Sequence, residues 1–231
     1  MSRRNKLQRF ADILSYPNVF ENFDPHEAIL LGHQGEEINL KGSWNSKHFK
    51  NDNPLVLELA CGRGEYAVAL ARKYPNKNFI GVDIKGARIW QGATIALNES
   101  LANVAFLRTR IEIIDSFIDK NEIDEIWITF PDPFLRESKS NRRLTSHYFL
   151  NKYKEILNSE HVIHLKTDSP ELYAYSLESI GSFEGAEIIY KHDNIYAQAL
   201  ENEDLKIKTY YERMHLKNEL TIKYLRFKLN L

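Results

Sequence analysis

The chain of 231 residues has one cysteine, Cys61, and no apolar run of the roughly eighteen residues that a membrane helix needs. One cysteine cannot form an internal disulfide or a cysteine-rich zinc site. The eight histidines show no metal-ligand spacing, and the N-terminus lacks the apolar segment of a signal peptide. We therefore expect a cytoplasmic protein with no membrane segment and no metal.

The chain also lacks an excess of charge of either sign, because 31 Lys and Arg residues nearly balance 32 Asp and Glu residues. A nucleic-acid partner would therefore need local positive charge. The clearest local cluster lies in residues 136–143, where Glu137 is the one counter-charge among Arg136, Lys139, Arg142 and Arg143. A smaller cluster comprises Arg3, Arg4, Lys6 and Arg9. The cluster in residues 136–143 favours a functional role because it directly follows a Pro-Asp-Pro turn.

Short apolar runs alternate with segments of helical spacing from residue 55 onwards. Strands are predicted at 55–60, 78–83, 104–107, 124–130, 161–166, 186–191 and 219–228. Helices are predicted at 65–74, 86–100, 111–120 and 145–157, and from Pro170. This alternation is typical of an α/β fold with a doubly wound, mostly parallel sheet. Residues 1–50 are less regular, and they predict an N-terminal extension with a mobile tip, packed on a domain of residues 51–231.

A glycine turn follows the first predicted strand. Gly62 and Gly64 allow close backbone approach, and with Ala67 they satisfy the G-x-G-x-x-G/A pattern of dinucleotide binders. Asp83, at the end of the next strand, is placed to accept ribose hydroxyls from NAD or S-adenosylmethionine alike. Glu58, just before the glycines, is unfavourable beside a pyrophosphate and suits the ammonium and sulfonium of S-adenosylmethionine. A nicotinamide-dependent oxidoreductase remains an alternative at this point.

Two further carboxylates follow predicted strands. Asp132 lies between Pro131 and Pro133, which fix the backbone on either side of it. Asp168 follows the strand at 161–166, and either it or Ser169 is placed to cap the helix that begins near Pro170. In parallel sheets ligands bind beyond the carboxyl ends of the strands, so both carboxylates are candidate site residues.

These motifs together resemble the bacterial tRNA (guanine-N7-)-methyltransferases, which are class I S-adenosylmethionine-dependent enzymes. The resemblance spans roughly residues 55–228 and is carried by Glu58–Gly64, Phe79–Asp83, Phe130–Phe134, Asn141–Leu144, Lys166–Asp168 and Thr209–Glu212. Four positions depart from the usual pattern, and the first is Cys61, which follows Ala60 where the family has glycine and a small residue. Phe134 stands where the family has tryptophan, Arg136 where it has lysine, and Arg110 where an acidic residue normally meets the adenine.

The resemblance implies a Rossmann-like, seven-stranded methyltransferase sheet with an antiparallel C-terminal strand. It implies methyl transfer from S-adenosyl-L-methionine to N7 of a guanine in tRNA, at position 46 of the variable loop, by a monomer or homodimer. The implied cofactor residues are Glu58, Gly62, Gly64, Asp83, Arg110, Glu112 and Asp132. The implied substrate residues are Arg136, Asp168, Thr209, Tyr211 and Glu212, and those for tRNA phosphates are Lys139, Arg142 and Arg143.

Guanine N7 carries an in-plane lone pair, so attack on a methyl group needs no general base. Methylation makes the purine cationic, and a fixed carboxylate beside it stabilises that charge. We expect Asp132 to be this catalytic residue and Phe134 to stack on the extruded base. A methyltransferase acting on another RNA or a small molecule, and a catalytically silent RNA-binding relative, remain alternatives to the tRNA enzyme.

Overall fold

The computed structural model describes residues 4–231, which form two compact units, one ending at Asp119 and the other running from Lys120 to Leu231. The predicted mobile tip falls in part on residues 1–3, which lie outside the described residues. The predicted domain boundary after residue 50 stays a prediction. Across residues 4–231, none of the helices combines the length and the apolar character that crossing a membrane demands.

The first unit is built on a parallel sheet with the strand order β1-β4-β3-β2. Its strands are β1 (Val19–Glu21), β2 (Leu55–Leu59), β3 (Asn78–Asp83) and β4 (Val104–Arg108). Its α-helices are α1 (Lys6–Ile13), α2 (Glu65–Lys73) and α3 (Gly86–Asn98), with a π-helical turn at Trp44–Phe49 and a 3₁₀ segment at Ile111–Ser116. Every residue of β2 and β3 is buried, which explains why their sequences are apolar runs without alternation.

The N-terminal extension contributes directly to the core of the first unit. Strand β1 pairs with β4, and α1 packs on α3, where Trp90 Nε1 donates a hydrogen bond of 2.9 Å to Asp12. Ile13 and Trp44 are fully buried. The sequence pattern predicted an irregular segment here because β1 has only three residues and shows no periodicity.

Three glycines allow α2, α3 and β3 to approach the ring of Phe106 on β4. A Cβ atom on Gly92 would lie 2.8 Å from Phe106 Cζ, and one on Gly81 would lie 2.9 Å from the same ring. A Cβ atom on Gly64, at the start of α2, would also clash with this ring. These glycines therefore fix how closely the helix after the glycine turn packs against the sheet.

His48 lies in the π-helical turn and packs edge-on against Phe20 and Phe49. Burial, with a smaller effect from Lys50, lowers the pKa of His48 to about 4 from its ordinary 6.5. Because the unfolded chain binds this proton first, the free energy of unfolding should fall as the pH drops from about 6.5 to about 4, by at most about 3 kcal/mol. Urea unfolding at pH 7 and pH 4.5 measures this loss. His48→Phe keeps the ring and should reduce the loss, and an equal loss in both proteins would contradict the assignment.

The second unit has the strand order β5-β6-β8-β7. Strands β5 and β6 are parallel, whereas β8 is antiparallel to both β6 and β7. The strands are β5 (Ile123–Thr129), β6 (Leu157–Thr167), β7 (Ala186–His192) and β8 (Lys223–Leu229). The helices are α4 (His147–Ile156), α5 (Pro170–Ser182) and α6 (Tyr210–Lys217). The antiparallel strand at the C-terminus of the chain is therefore confirmed.

The predicted elements differ from the observed ones in several places. The described residues hold eight strands rather than seven, because β1 was not predicted. The helix predicted at 111–120 is a 3₁₀ segment, Ile111–Ser116, interrupted by non-helical backbone at Ile113. Helices α1 and α6 were also missed, although each begins with a polar cap residue, Asn5 and Thr209 respectively.

Candidate active site

The turn after β2 relies on left-handed backbone, with φ of 58° at Ala60, 55° at Gly62 and 65° at Gly64. The two glycines serve different purposes. Gly64 packs against Phe106, whereas a Cβ atom on Gly62 would find only the carbonyl oxygen of Ala60, at 3.9 Å. The backbone of this turn is therefore open on the side where a Gly62 side chain would lie. Ala60 adopts the left-handed region without being a glycine, so this turn stores some strain.

Glu58 replaces the cap that α2 lacks. The N-cap residue is Gly64, which has no side chain, and Glu58 Oε2 instead accepts a hydrogen bond of 2.9 Å from the backbone N–H of Ala67. Glu58 is only 2% exposed. Its carboxylate thus satisfies one of the free N–H groups of the first helical turn and holds the glycine turn against the strand.

Asp83, at the end of β3, ties two loops together. Its Oδ2 accepts a hydrogen bond of 2.9 Å from Gly62 N–H, and its Oδ1 accepts one of 2.7 Å from Lys85 N–H. The structure thus brings together Gly62 and Asp83, two of the predicted cofactor residues. Each carboxylate oxygen has a second lone pair, so these bonds leave acceptor capacity for a ligand's hydroxyl groups.

Arg110 and Glu112 begin the 3₁₀ segment that follows β4. Arg110 is exposed and extended, and Glu112 is half-buried in the first turn. Cys61, also in the glycine turn, is buried, and burial together with the carboxylates of Glu58 and Asp83 raises the pKa of its thiol well above the ordinary value. A protonated, buried thiol is unsuited to nucleophilic catalysis.

The Pro-Asp-Pro turn is held by Asp132 itself and by strained backbone on both sides. Asp132 is exposed, and its Oδ1 accepts a hydrogen bond of 3.0 Å from Phe134 N–H. Phe130 and Phe134 adopt φ values of 50° and 42°, which bulky residues rarely take. Such strain concentrates at functional sites, where it fixes the position of a group. Asp132 lies between these two strained residues.

The basic cluster divides into exposed and internal members. Arg136, Lys139 and Arg142 are exposed, and the guanidinium of Arg142 lies 4.6 Å from the centre of the Phe134 ring. The side chain of Arg143 is only 7% exposed, and its Nη2 and Nε donate hydrogen bonds of 3.1 and 3.3 Å to the carbonyl oxygen of Phe134. Arg143 was expected to contact a tRNA phosphate, but burial makes it an internal support of the Pro-Asp-Pro turn.

A buried ion pair joins the end of β6 to α6. Lys166 Nζ lies 2.8 Å from Glu212 Oε2, both side chains are fully buried, and Glu212 Oε1 accepts a hydrogen bond of 2.5 Å from Tyr196 Oη. Burial lowers the pKa of Lys166, and Glu212 offsets part of that effect. We expected Glu212 to bind the substrate, but both of its carboxylate oxygens are engaged inside the protein. Glu212 anchors the helix that carries Tyr211.

Thr209 and Ser169 are helix caps. Thr209 Oγ1 accepts a hydrogen bond of 3.2 Å from Glu212 N–H at the start of α6, and Ser169 Oγ accepts one of 3.1 Å from Leu172 N–H at the start of α5. Because Ser169 supplies the cap, the carboxylate of Asp168 is available for another role. Tyr211 is half-buried in the first turn of α6.

The carboxylate of Asp168 faces a residue that the sequence analysis did not select. His215 Nδ1 on α6 lies 3.4 Å from Asp168 Oδ2, and the imidazole is stacked on the ring of Phe130 with 6.0 Å between the ring centres. The sequence does contain a signal for it. Thr209-x-x-Glu212 is a helix-start pattern, and His215 lies one turn further along the same face as Glu212.

No group of three His, Cys, Asp or Glu side chains suited to a metal ion occurs among the residues that the structure describes. The first unit offers a glycine turn with two buried carboxylates, and the second unit offers the carboxylates of Asp132 and Asp168 with an exposed basic segment. Neither set of described residues includes a paired nucleophile and base.

The chain is similar to known methyltransferases over most of its length. A family model described as "Putative methyltransferase" matches residues 52–225. The tRNA (guanine-N(7)-)-methyltransferase of Bacteroides fragilis is 49% identical over 224 residues, which cover 97% of this chain and 85% of the relative. The enzyme of the same name from Christiangramia forsetii is 47% identical over 230 residues, which cover 99% of this chain and the whole relative.

Solved structures confirm the fold. The 16S rRNA methyltransferase KamB superposes with a TM-score of 0.61 at 13% identity, covering 85% of this chain and 97% of that one. The 16S rRNA (adenine(1408)-N(1))-methyltransferase of Catenulisporales acidiphilia gives a TM-score of 0.60 at 14% identity, covering 84% and 95%. At such low identity the likeness extends to the fold alone. It confirms the predicted Rossmann-like methyltransferase architecture.

Proposed function

Because the chain belongs to the tRNA (guanine-N(7)-)-methyltransferase family, we propose that it transfers a methyl group from S-adenosyl-L-methionine to N7 of a guanine in tRNA, at position 46 of the variable loop. The observation that carries this proposal is Asp132, an exposed carboxylate fixed by a strained turn beside an exposed basic segment. The site lacks a nucleophile–base pair, which agrees with a reaction in which N7 attacks through its own lone pair.

The first unit would hold the cofactor, which supplies a methyl group on a positively charged sulfur. The open space at Gly62 would admit the ligand beside the backbone, and Asp83 has acceptor capacity for the ribose hydroxyls. The first-turn N–H groups of α2 add partial positive charge close to the turn. Glu58 would hold the turn in place and contribute negative charge towards the ammonium group. Arg110 and Glu112 would flank the adenine.

The second unit would hold the guanine. Asp132 and Asp168 follow two adjacent parallel strands, β5 and β6, and both carboxylates are at least partly accessible. A carboxylate beside the purine accepts hydrogen bonds from its N–H donors and stabilises the positive charge that methylation creates. Phe134 offers a ring on which the extruded base can stack. Tyr211, in the first turn of α6, and Thr209, the cap residue of α6, would also border the guanine.

The exposed residues Arg136, Lys139 and Arg142 would contact phosphates of the tRNA, because they supply local positive charge in a chain whose overall charge is nearly neutral. Such contacts orient the RNA without reading its sequence. Since tRNA is a cytoplasmic substrate, the proposal implies that the protein acts in the cytoplasm.

The proposal is tested by incubating the purified protein with S-adenosylmethionine and unmodified tRNA transcript, then identifying nucleosides by mass spectrometry. We expect 7-methylguanosine, and it should disappear when the guanine at position 46 is replaced. Another methylated nucleoside would reject N7 as the target. Absence of product despite measured binding of S-adenosylhomocysteine would reject tRNA as the substrate.

Glu58→Gln separates the two roles of this residue. Glutamine Oε1 can still accept the hydrogen bond from Ala67, so the variant should melt close to the wild type, whereas the missing charge should weaken S-adenosylhomocysteine binding about tenfold. Glu58→Ala removes both the charge and the hydrogen-bond acceptor, so it should lower the melting temperature as well as the affinity. Titration calorimetry and thermal melting measure the two effects. Unchanged affinity in Glu58→Gln would limit Glu58 to a capping role.

A further inference from the structure

His215 contacts two of the sequence motifs at once. Its Nδ1 lies 3.4 Å from the carboxylate of Asp168, and its ring is stacked on Phe130, the residue that begins the Phe-Pro-Asp-Pro segment. Phe130 N–H in turn donates a hydrogen bond of 2.8 Å to the carbonyl oxygen of Lys166. Both side chains of the His215–Asp168 pair are about one-fifth to one-quarter exposed, so the pair lies at the border between interior and solvent.

The position of His215 is fixed by the ion pair beneath it. Lys166 and Asp168 are two residues apart at the end of β6, and their partners Glu212 and His215 are three residues apart on α6. Residues three apart on a helix share a face, so the same face of α6 contacts the end of β6 through both pairs. The inner pair, Lys166–Glu212, is fully buried and sets the register of α6. That register places His215 against Asp168.

We propose that His215 is a positioning residue for methyl transfer, which orients the carboxylate of Asp168 towards the guanine and supports the Phe130 end of the Pro-Asp-Pro turn. This inference rests on the proposed function. Asp168 has few other constraints on its carboxylate direction: Ser169 supplies the helix cap, and Lys223 Nζ contacts the main-chain oxygen of Asp168 at 3.3 Å. A hydrogen on the imidazole Nδ1, which lies 3.4 Å from Asp168 Oδ2, therefore favours one orientation of the carboxylate.

Two substitutions separate the two contacts of His215. His215→Phe keeps a flat ring over Phe130 but removes the nitrogen that faces Asp168. His215→Asn keeps an N–H donor near the position of Nδ1 but removes the ring. A control is His192→Phe, since His192 also lies in the second unit beside an aspartate, with its Nδ1 at 3.9 Å from Asp193 Oδ1, and accepts a hydrogen bond of 3.1 Å from Asn194 N–H within its own turn.

Initial rates are measured over a range of tRNA concentrations with saturating S-adenosylmethionine, and product is counted as 7-methylguanosine. We expect kcat/KM to fall about 5- to 20-fold in His215→Phe, as for loss of one partly exposed charge-assisted contact, and to stay within about threefold of wild type in His215→Asn. S-adenosylhomocysteine affinity and melting temperature should be unchanged in both. His192→Phe should behave as wild type.

The decisive comparison is made in an Asp168→Asn background. If His215 acts through Asp168, adding His215→Phe to Asp168→Asn should lower kcat/KM by less than about twofold more. Fully additive losses would overturn the proposal, as would wild-type kinetics in His215→Phe. A loss of activity that tracks a lowered melting temperature in all His215 variants would make the role merely structural. Should His215→Phe fail to fold, His215→Ala replaces it in the same cycle.

The wild-type reaction distinguishes this inference from the function on which it rests. If the wild-type protein yields no 7-methylguanosine, the proposed function has failed. If it yields the product and the Asp168 and His215 effects add independently, only the positioning role has failed.

Discussion

Replacing Asp132 with asparagine should lower kcat for tRNA methylation about 100-fold, the scale on which a single preorganised electrostatic contact acts in other enzymes. Asparagine Oδ1 can accept the same hydrogen bond from Phe134 N–H, which is 3.0 Å in the wild type, so the turn should keep its shape. The variant therefore removes the negative charge and keeps the conformation of the Pro-Asp-Pro turn. Single-turnover rates with excess enzyme over tRNA measure the effect on the chemical step.

The control for this variant is Asp132→Ala, which removes both the charge and the turn hydrogen bond and should also weaken tRNA binding. S-adenosylhomocysteine affinity, measured for both variants, tests the cofactor role that was also assigned to Asp132. A full wild-type rate in Asp132→Asn would reject charge stabilisation by this carboxylate. A rate loss matched by an equal loss of cofactor affinity would assign Asp132 to cofactor binding instead.

Lys166→Met should destabilise the protein by about 3–5 kcal/mol, because it leaves the carboxylate of Glu212 buried without its counter-charge. Lys166 Nζ also donates hydrogen bonds of 3.1 and 3.0 Å to the carbonyl oxygens of Leu205 and Ile207. In the variant Ile207 loses this donor, whereas Leu205 keeps the hydrogen bond of 3.4 Å from Tyr196 Oη. The free energy of unfolding, from urea titration followed by tryptophan fluorescence, measures the effect.

The double variant Lys166→Met/Glu212→Leu provides the matched comparison. It removes both charges, so it should recover much of the stability that Lys166→Met loses, while the carbonyl group of Ile207 loses its donor and Tyr196 Oη keeps its hydrogen bond of 3.4 Å to the carbonyl oxygen of Leu205. A double variant as unstable as the sum of both single variants would show that the ion pair itself contributes little. A loss below about 1 kcal/mol in Lys166→Met would contradict the burial of an uncompensated charge.

The sequence predicted the central strands and the carboxylates at their ends because both follow from local patterns. Strands β2 and β3 are short, mostly apolar runs, and Pro170 marks the start of α5 within one residue of its cap. Glycine and proline constrain the backbone in ways that single residues reveal. Gly62 and Asp132 could therefore be selected as candidate site residues from the sequence alone.

The side-chain pairings and the burial of the site residues could not be predicted, because they depend on contacts between distant parts of the chain. The pairing of Lys166 with Glu212 and of Asp168 with His215 requires the register of α6 against β6, which no local pattern specifies. The burial of a side chain also does not follow from local sequence, since Arg142 and Arg143 are adjacent basic residues and only Arg143 is buried. Strand β1 has three residues, too few for any periodicity to show.

The internal position of Arg143 changes how a charge-removal scan of residues 136–143 would have to be interpreted. Loss of a phosphate contact reduces the slope of log affinity against log salt concentration by about one, as expected for Arg136, Lys139 or Arg142. Arg143 instead holds the carbonyl oxygens of Pro133 and Phe134. Its replacement would weaken tRNA binding at every salt concentration alike, through a displaced turn. Affinity at one ionic strength would count Arg143 as a phosphate ligand, and only the salt dependence would separate the two causes.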